Sequence, residues 1–188
     1  APHAVWARLA LPAVDALRLP DAMVDGTAVP RLLGAGAAPP ALPAMAAEAW
    51  SWLEVKSAVP RVTAATAEQF VPQMVNLELV GGVNFQKGCY PGQEVVARSQ
   101  YRGTLKRRAQ VLESEVALQP GQEVFNDTDP DQPAGMVVLS GNLPGGTHAA
   151  LVELKLSALQ AGALHAGAAS GPLLTLTPLP YAIPAEAA

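Results

Sequence analysis

The chain has 188 residues and 19.4 kDa, with 12 Lys and Arg against 16 Asp and Glu, a formal charge of −4. That length fits one domain or two small ones, and 50% hydrophobic against 15% charged residues is too apolar for a disordered chain or a generic nucleic-acid coat protein. The 18 Pro and 16 Gly are scattered without period, which excludes collagen and coiled coil. Pro39, Pro40 and Pro43 break the most apolar stretch before it reaches the roughly 18 to 20 residues that a membrane span needs.

A soluble chain is expected, and no basic stretch followed by an apolar one reads as a secretory leader. The single cysteine, Cys89, can form no internal disulfide, and with His3, His148 and His165 dispersed it makes no metal-ligand spacing, so a cytoplasmic, metal-free chain is expected. Of 36 alanines only Ala97, Ala109, Ala117 and Ala134 fall within residues 68–148. Charge is uneven too: Lys87, Arg98, Arg102, Lys106, Arg107 and Arg108 against Glu94 give residues 87–108 a net +5, and the remainder −9.

In chain order, residues 5–11 alternate like a strand, and Pro12, Pro20, Gly26 and Pro30 predict an irregular link after it. Residues 44–56 lack Pro and Gly and repeat Met45, Ala49, Trp52 and Leu53 near helical spacing, which predicts an amphipathic helix ending before Pro60 with its Trp stripe in the core. Thr66 and Gln69 resemble a capping box opening a short turn around Glu68 and Phe70, closed by Pro72. Gly81 and Gly82 then break the chain, and residues 93–102 read as a helix.

From about residue 106 the texture becomes short β-rich pieces, at 104–112, 122–125, 134–140, 148–156 and 173–179. The turn signals between them, such as Pro120-Gly121 and Gly171-Pro172, have the spacing of a small antiparallel barrel or sandwich. Residues 157–169 fit either a loop or a short helix.

Residues 82–103 carry Cys89, two tyrosines and the cations Lys87, Arg98 and Arg102. Gly88 and Gly92 bracket Cys89-Tyr90-Pro91, letting the backbone turn tightly and approach a ligand. Cys89 would sit just ahead of a helix N-terminus with Lys87 nearby, and both favour a thiolate, the reactive form. Glu94, Arg98 and Arg102 follow at helical spacing on one face. A carboxylate accepts paired N–H bonds from an aminopyrimidinone ring such as a pterin, and arginines fork onto the carboxylates of a glutamate tail. The plainer alternatives are a cysteine acting as a small hydrophobe, an ordinary Glu94–Arg98 surface pair, and a solvated edge at Lys106-Arg107-Arg108.

Lys87-Gly88-Cys89-Tyr90-Pro91-Gly92-Gln93-Glu94 resembles the K-G-C-Y-x-G-Q-E signature of the YgfZ family, folate-binding relatives of the glycine-cleavage T-protein. The resemblance runs from Glu68-Gln69-Phe70-Val71-Pro72-Gln73 through Asn76-Leu77 and Val83-Asn84-Phe85 to Val95-Val96-Ala97-Arg98, Tyr101-Arg102-Gly103 and Lys106-Arg107. It implies an α+β fold: the C-terminal part of a T-protein-like folate-binding domain over residues 1–105, then a small antiparallel β-barrel over 106–188. A further domain's worth of chain would precede Ala1, including strands that wall the folate cavity, so this piece would lack much of the pterin pocket.

The resemblance also implies a tetrahydrofolate-type cofactor and a role supporting iron–sulfur proteins, including tRNA-thiolating enzymes. Lys87 and Cys89 would be the functional pair, Tyr90, Glu94, Arg98 and Arg102 would face the folate, and Gly88, Gly92 and Gln93 would shape the backbone. Since a stable cluster normally takes four thiolates or their substitutes, contact between Cys89 and a cluster would be transient and shared with iron–sulfur proteins or assembly factors. The alternatives are a folate-dependent aminomethyltransferase, for which no acid assignable to proton transfer is identifiable, and an RNA-binding module, which the −9 remainder disfavours.

Overall fold

The computed structural model describes residues 3–7, 17–35, 45–101, 105–143 and 146–184. Its first element is a three-stranded antiparallel sheet ordered β1-β3-β2, with β1 at His3–Ala7, β2 at Leu17–Val24 and β3 at Thr27–Ala35. The predicted irregular link is therefore in large part a hairpin. Asp25 and Gly26 turn it with φ of 47° and 75°, as an Asp-Gly hairpin turn requires. Pro20 and Pro30, read as strand breakers, are absorbed where the register shifts between Leu19 and Ala22, an irregularity that spares the ladder a missing N–H.

Helix α1 spans Ala47–Lys56, three residues later at its start than predicted, and Met45 lies exposed before it. The capping box falls three residues before the predicted one: the Thr63 N–H donates to Thr66 Oγ1 at 3.0 Å around a 3-10 turn at Ala64–Thr66. Glu68, at φ 61°, interrupts any helical continuation. Pro72 opens a second 3-10 turn, Pro72–Val75, rather than closing one, because a proline at the first position loses no internal bond. Helix α2 spans Gln93–Tyr101, and Arg102 lies outside the described residues.

The remaining strands are β4 (Arg107–Ser114), β5 (Glu123–Asn126), β6 (Asp129–Asn142), β7 (His148–Lys155), β8 (Leu164–Ala166) and β9 (Leu173–Thr177). They close into an antiparallel barrel in the order β4-β7-β6-β5-β8-β9, β9 pairing back onto β4 through Val111↔Thr177 and Leu112↔Leu176. Closure leaves no open edge. The ambiguous 157–169 stretch supplies part of a 3-10 turn at Leu156–Leu159 and the short strand β8.

Alternation along these strands makes two cores. Leu112, Val124, Val137, Val152 and Leu154 fill the barrel, while Val111, Val138, Ala149 and Leu151 face outward and meet Val55, Ala58 and Val75. Trp52 packs half-buried against this second cluster. At Gly141 a Cβ would lie 2.4 Å from the Trp52 Cα, so glycine there lets α1 rest directly on β6. Two ion pairs tie β4 to the elements outside the barrel: Lys56 Nζ of α1 to Glu113 at 2.7 Å, and Arg108 to Glu78, both of whose side chains are nearly inaccessible. No helix among the described residues is long and apolar enough to cross a membrane.

Candidate functional site

The segment singled out in the sequence leaves the core at Gly82 and returns to it only at Val96, the one buried residue of α2. Its turn is closed by a reciprocal pair: Tyr90 N–H donates to Gln93 Oε1 and Gln93 N–H to the Tyr90 carbonyl, each at 3.2 Å. Gly92 has φ 78°, a conformation side-chain-bearing residues rarely adopt. Gly88 has no left-handed φ, and a Cβ there would meet nothing within 4 Å, so the chain's own packing does not require glycine at 88.

A groove of about 290 Å³ opens beside this turn, lined by Phe85, Lys87, Tyr90, Gln93, Glu94 and Tyr101, with Asn84 and Ala97 completing it. Phe85 and Tyr101 meet edge to face with centroids 6.2 Å apart, and the Lys87 ammonium lies 5.0 Å from the centre of the Tyr90 ring. The groove therefore offers aromatic faces, an ammonium, a carboxylate and amides within one concavity. That set suits a planar ring carrying hydrogen-bonding edges.

Four of the residues expected from the sequence thus come together: Lys87, Tyr90, Gln93 and Glu94. Cys89 is exposed but is not among the groove's lining residues. Arg98 is exposed and also outside the lining, and among the described residues no ion pair joins it to Glu94. The helix presents Glu94, Ala97 and Tyr101 to the groove, at i, i+3 and i+7, which turns Arg98 to the flank. Asn84, Phe85 and Tyr101 were not among the expected site residues. The spacing of Tyr101 from Glu94 is the signal that could have marked it.

Among the described residues no cluster of three His, Cys, Asp or Glu is placed to hold a metal ion. Helix α2 is tied inward by Gln73, which is wholly buried and donates from Nε2 to the Val96 carbonyl at 2.7 Å.

No protein-family model matches the chain. Over 71 residues, 38% of the chain, it is 48% identical to the tRNA-modifying protein YgfZ of Photobacterium profundum. Over 76 residues, 40% of the chain, it is 46% identical to the tRNA-modifying protein YgfZ of Colwellia psychrerythraea. The matched segments make up 22% and 24% of those relatives, so the chain spans under a quarter of the curated proteins it matches. Within that span it resembles the YgfZ proteins, as its K-G-C-Y-P-G-Q-E segment implies.

Proposed function

We propose that the chain is part of a cytoplasmic, folate-binding accessory protein that supports assembly or repair of iron–sulfur clusters, including those of tRNA-thiolating enzymes. The observation that carries this reading is the groove in which Lys87, Tyr90, Gln93 and Glu94 converge between Phe85 and Tyr101. The two YgfZ relatives, named as tRNA-modifying proteins, support the tRNA-related part of it. On the same reading, residues 1–105 belong to a T-protein-like domain and 106–188 to a separate barrel domain.

The groove's residues fit a pterin ring. Glu94 is exposed and among the described residues has no side-chain partner, so it would accept the paired N–H groups, Tyr101 would offer a face, and Lys87, over the Tyr90 ring, would offer a donor. A volume of about 290 Å³ accommodates the bicyclic ring rather than a whole folate, so the tail would extend beyond the groove. Bound tetrahydrofolate would supply one-carbon chemistry. Cys89, exposed outside the groove, would be left accessible to a protein partner, as transient contact with a client cluster requires.

The test is a titration of the full-length protein with tetrahydrofolate. Glu94→Ala should weaken binding roughly ten- to a hundredfold, the loss of about 1.5 to 3 kcal/mol for a charge-assisted hydrogen bond. Absence of binding, or an affinity indifferent to both Glu94→Ala and Lys87→Ala, would overturn the ligand assignment. Cys89→Ala should fail to restore cluster-dependent enzymes in a strain lacking the protein, and full restoration would remove the thiol from the mechanism.

A further inference from the structure

We infer that Gln73 is the positioning residue that fixes α2, and with it the groove, to the barrel; this rests on reading the groove as the ligand site. Helix α2 buries only Val96 and makes its main packing contact with the 72–75 turn. Gln73 sits in that turn, wholly buried, and bridges two elements. Its backbone carbonyl accepts from Arg108 Nη1 of β4 at 3.1 Å, and its side-chain Nε2 donates to the Val96 carbonyl at 2.7 Å. Gln73 thus contacts both the barrel and the site helix, while Asn76, donating from Nδ2 to the Ala109 carbonyl of β4 at 2.8 Å, holds the same turn to the barrel.

The other end of the amide sharpens the point. Gln73 Oε1 is buried and among the described residues has no hydrogen-bond partner, a costly state for a polar atom. Leucine or methionine would fill the same space without stranding an acceptor, so packing alone does not account for an amide here. The bond donated to α2 does. Arg108 and Glu78, the charged groups beside Gln73, are paired with each other and leave the Gln73 amide to α2.

Backbone amide exchange on the full-length protein tests this. Gln73→Met keeps the volume and removes the donor, and should speed exchange of α2 and residues 84–92 about three- to tenfold, the equivalent of one neutral hydrogen bond, with β6 and β7 unchanged. Gln73→Glu, nearer in shape, should loosen α2 more at neutral pH because a carboxylate faces a carbonyl. As pH falls and that carboxyl gains a donatable proton, protection should return, a recovery that a packing role would not give. Tetrahydrofolate affinity should fall with the loss of protection. Unchanged exchange in α2, loosening spread evenly through the barrel, or a loosened α2 that binds as before would each overturn the inference. No binding by the unsubstituted protein would sink the folate reading alone, and the exchange pattern would still decide the role of Gln73.

Discussion

Inside the barrel, Leu112, Val124, Val137, Ala150 and Val152 are completely inaccessible, and each strand is paired on both sides in a closed ring. Between Val83 and Tyr101, by contrast, Val96 alone is buried, while Phe85, Val95 and Tyr101 are 37%, 56% and 73% exposed. The barrel has filled its own interior. The site segment leaves aromatic and charged groups exposed and, on the inference drawn for Gln73, takes its position from the barrel through Gln73 and Arg108. Segments held by so few buried contacts open at low free-energy cost, and groups left free of internal partners are the ones available to a ligand.

The largest expected effect strikes the joint between the two regions. Glu78→Ala leaves the Arg108 guanidinium buried without its counter-charge, and removal of one partner from a buried pair costs about 3 to 5 kcal/mol. Denaturant unfolding should show the midpoint fall with its slope preserved. A loss below about 1 kcal/mol, the level of an exposed pair, would mean that this joint is not desolvated. Next comes the barrel itself: Leu112→Ala should cost about 2 to 5 kcal/mol through lost burial and the cavity left behind. The groove should keep its ligand affinity, and if affinity falls in step with stability the two regions are less separable than their burial suggests.

The barrel also carries a buried acid. Burial raises the Glu153 carboxyl above its ordinary 4.5, outweighing the opposite pull of its hydrogen bond and charge pairing with Arg107. The folded state therefore holds this proton more tightly than the unfolded chain does. That contribution is complete below the ordinary carboxylate value and is lost as pH rises through the raised one. Glu153→Gln keeps the shape and stays neutral, so its stability should decline less than that of the unsubstituted protein as pH rises above 4.5. A steeper decline would contradict the direction assigned to Glu153.

The barrel was largely legible in the sequence because its strands alternate and its turns are marked by Gly and Pro; the predicted pieces overlap β4 to β7 and β9. Strand β8, three residues long, carries too little periodicity to be seen. The β2–β3 hairpin was missed because Pro20 and Pro30 outweighed Asp25-Gly26, and only the register shift between Leu19 and Ala22 shows how a strand tolerates them. In the site, α2 and the turn around Gly92 were legible from spacing. Which face looks into the groove was not: Glu94 and Arg98 are neighbours on a helix, but the aromatic wall is set by Phe85, which reaches Tyr101 from the preceding loop. Gln73 stands within the segment that resembles the family, but its tie to α2 was not legible for a related reason, since its partner Val96 lies 23 residues away.

The smallest expected change in stability belongs to Tyr101. Its ring is 73% exposed and touches Phe85 only edge to face at 6.2 Å, so Tyr101→Ala should alter unfolding free energy by no more than about 0.5 kcal/mol, as surface substitutions do. If the groove receives a planar ring, affinity tells a different story. Stacking of a base on an aromatic side chain contributes about 1 to 3 kcal/mol, so the same substitution should weaken tetrahydrofolate binding by roughly five- to a hundredfold. Tyr101→Phe keeps the face and loses only an exposed hydroxyl, and should bind as the unsubstituted protein does. A Tyr101→Ala protein that loses stability yet keeps its affinity would make the ring part of the fold and empty the groove of its wall. Equal weakening by alanine and phenylalanine would shift recognition from the aromatic face to the hydroxyl.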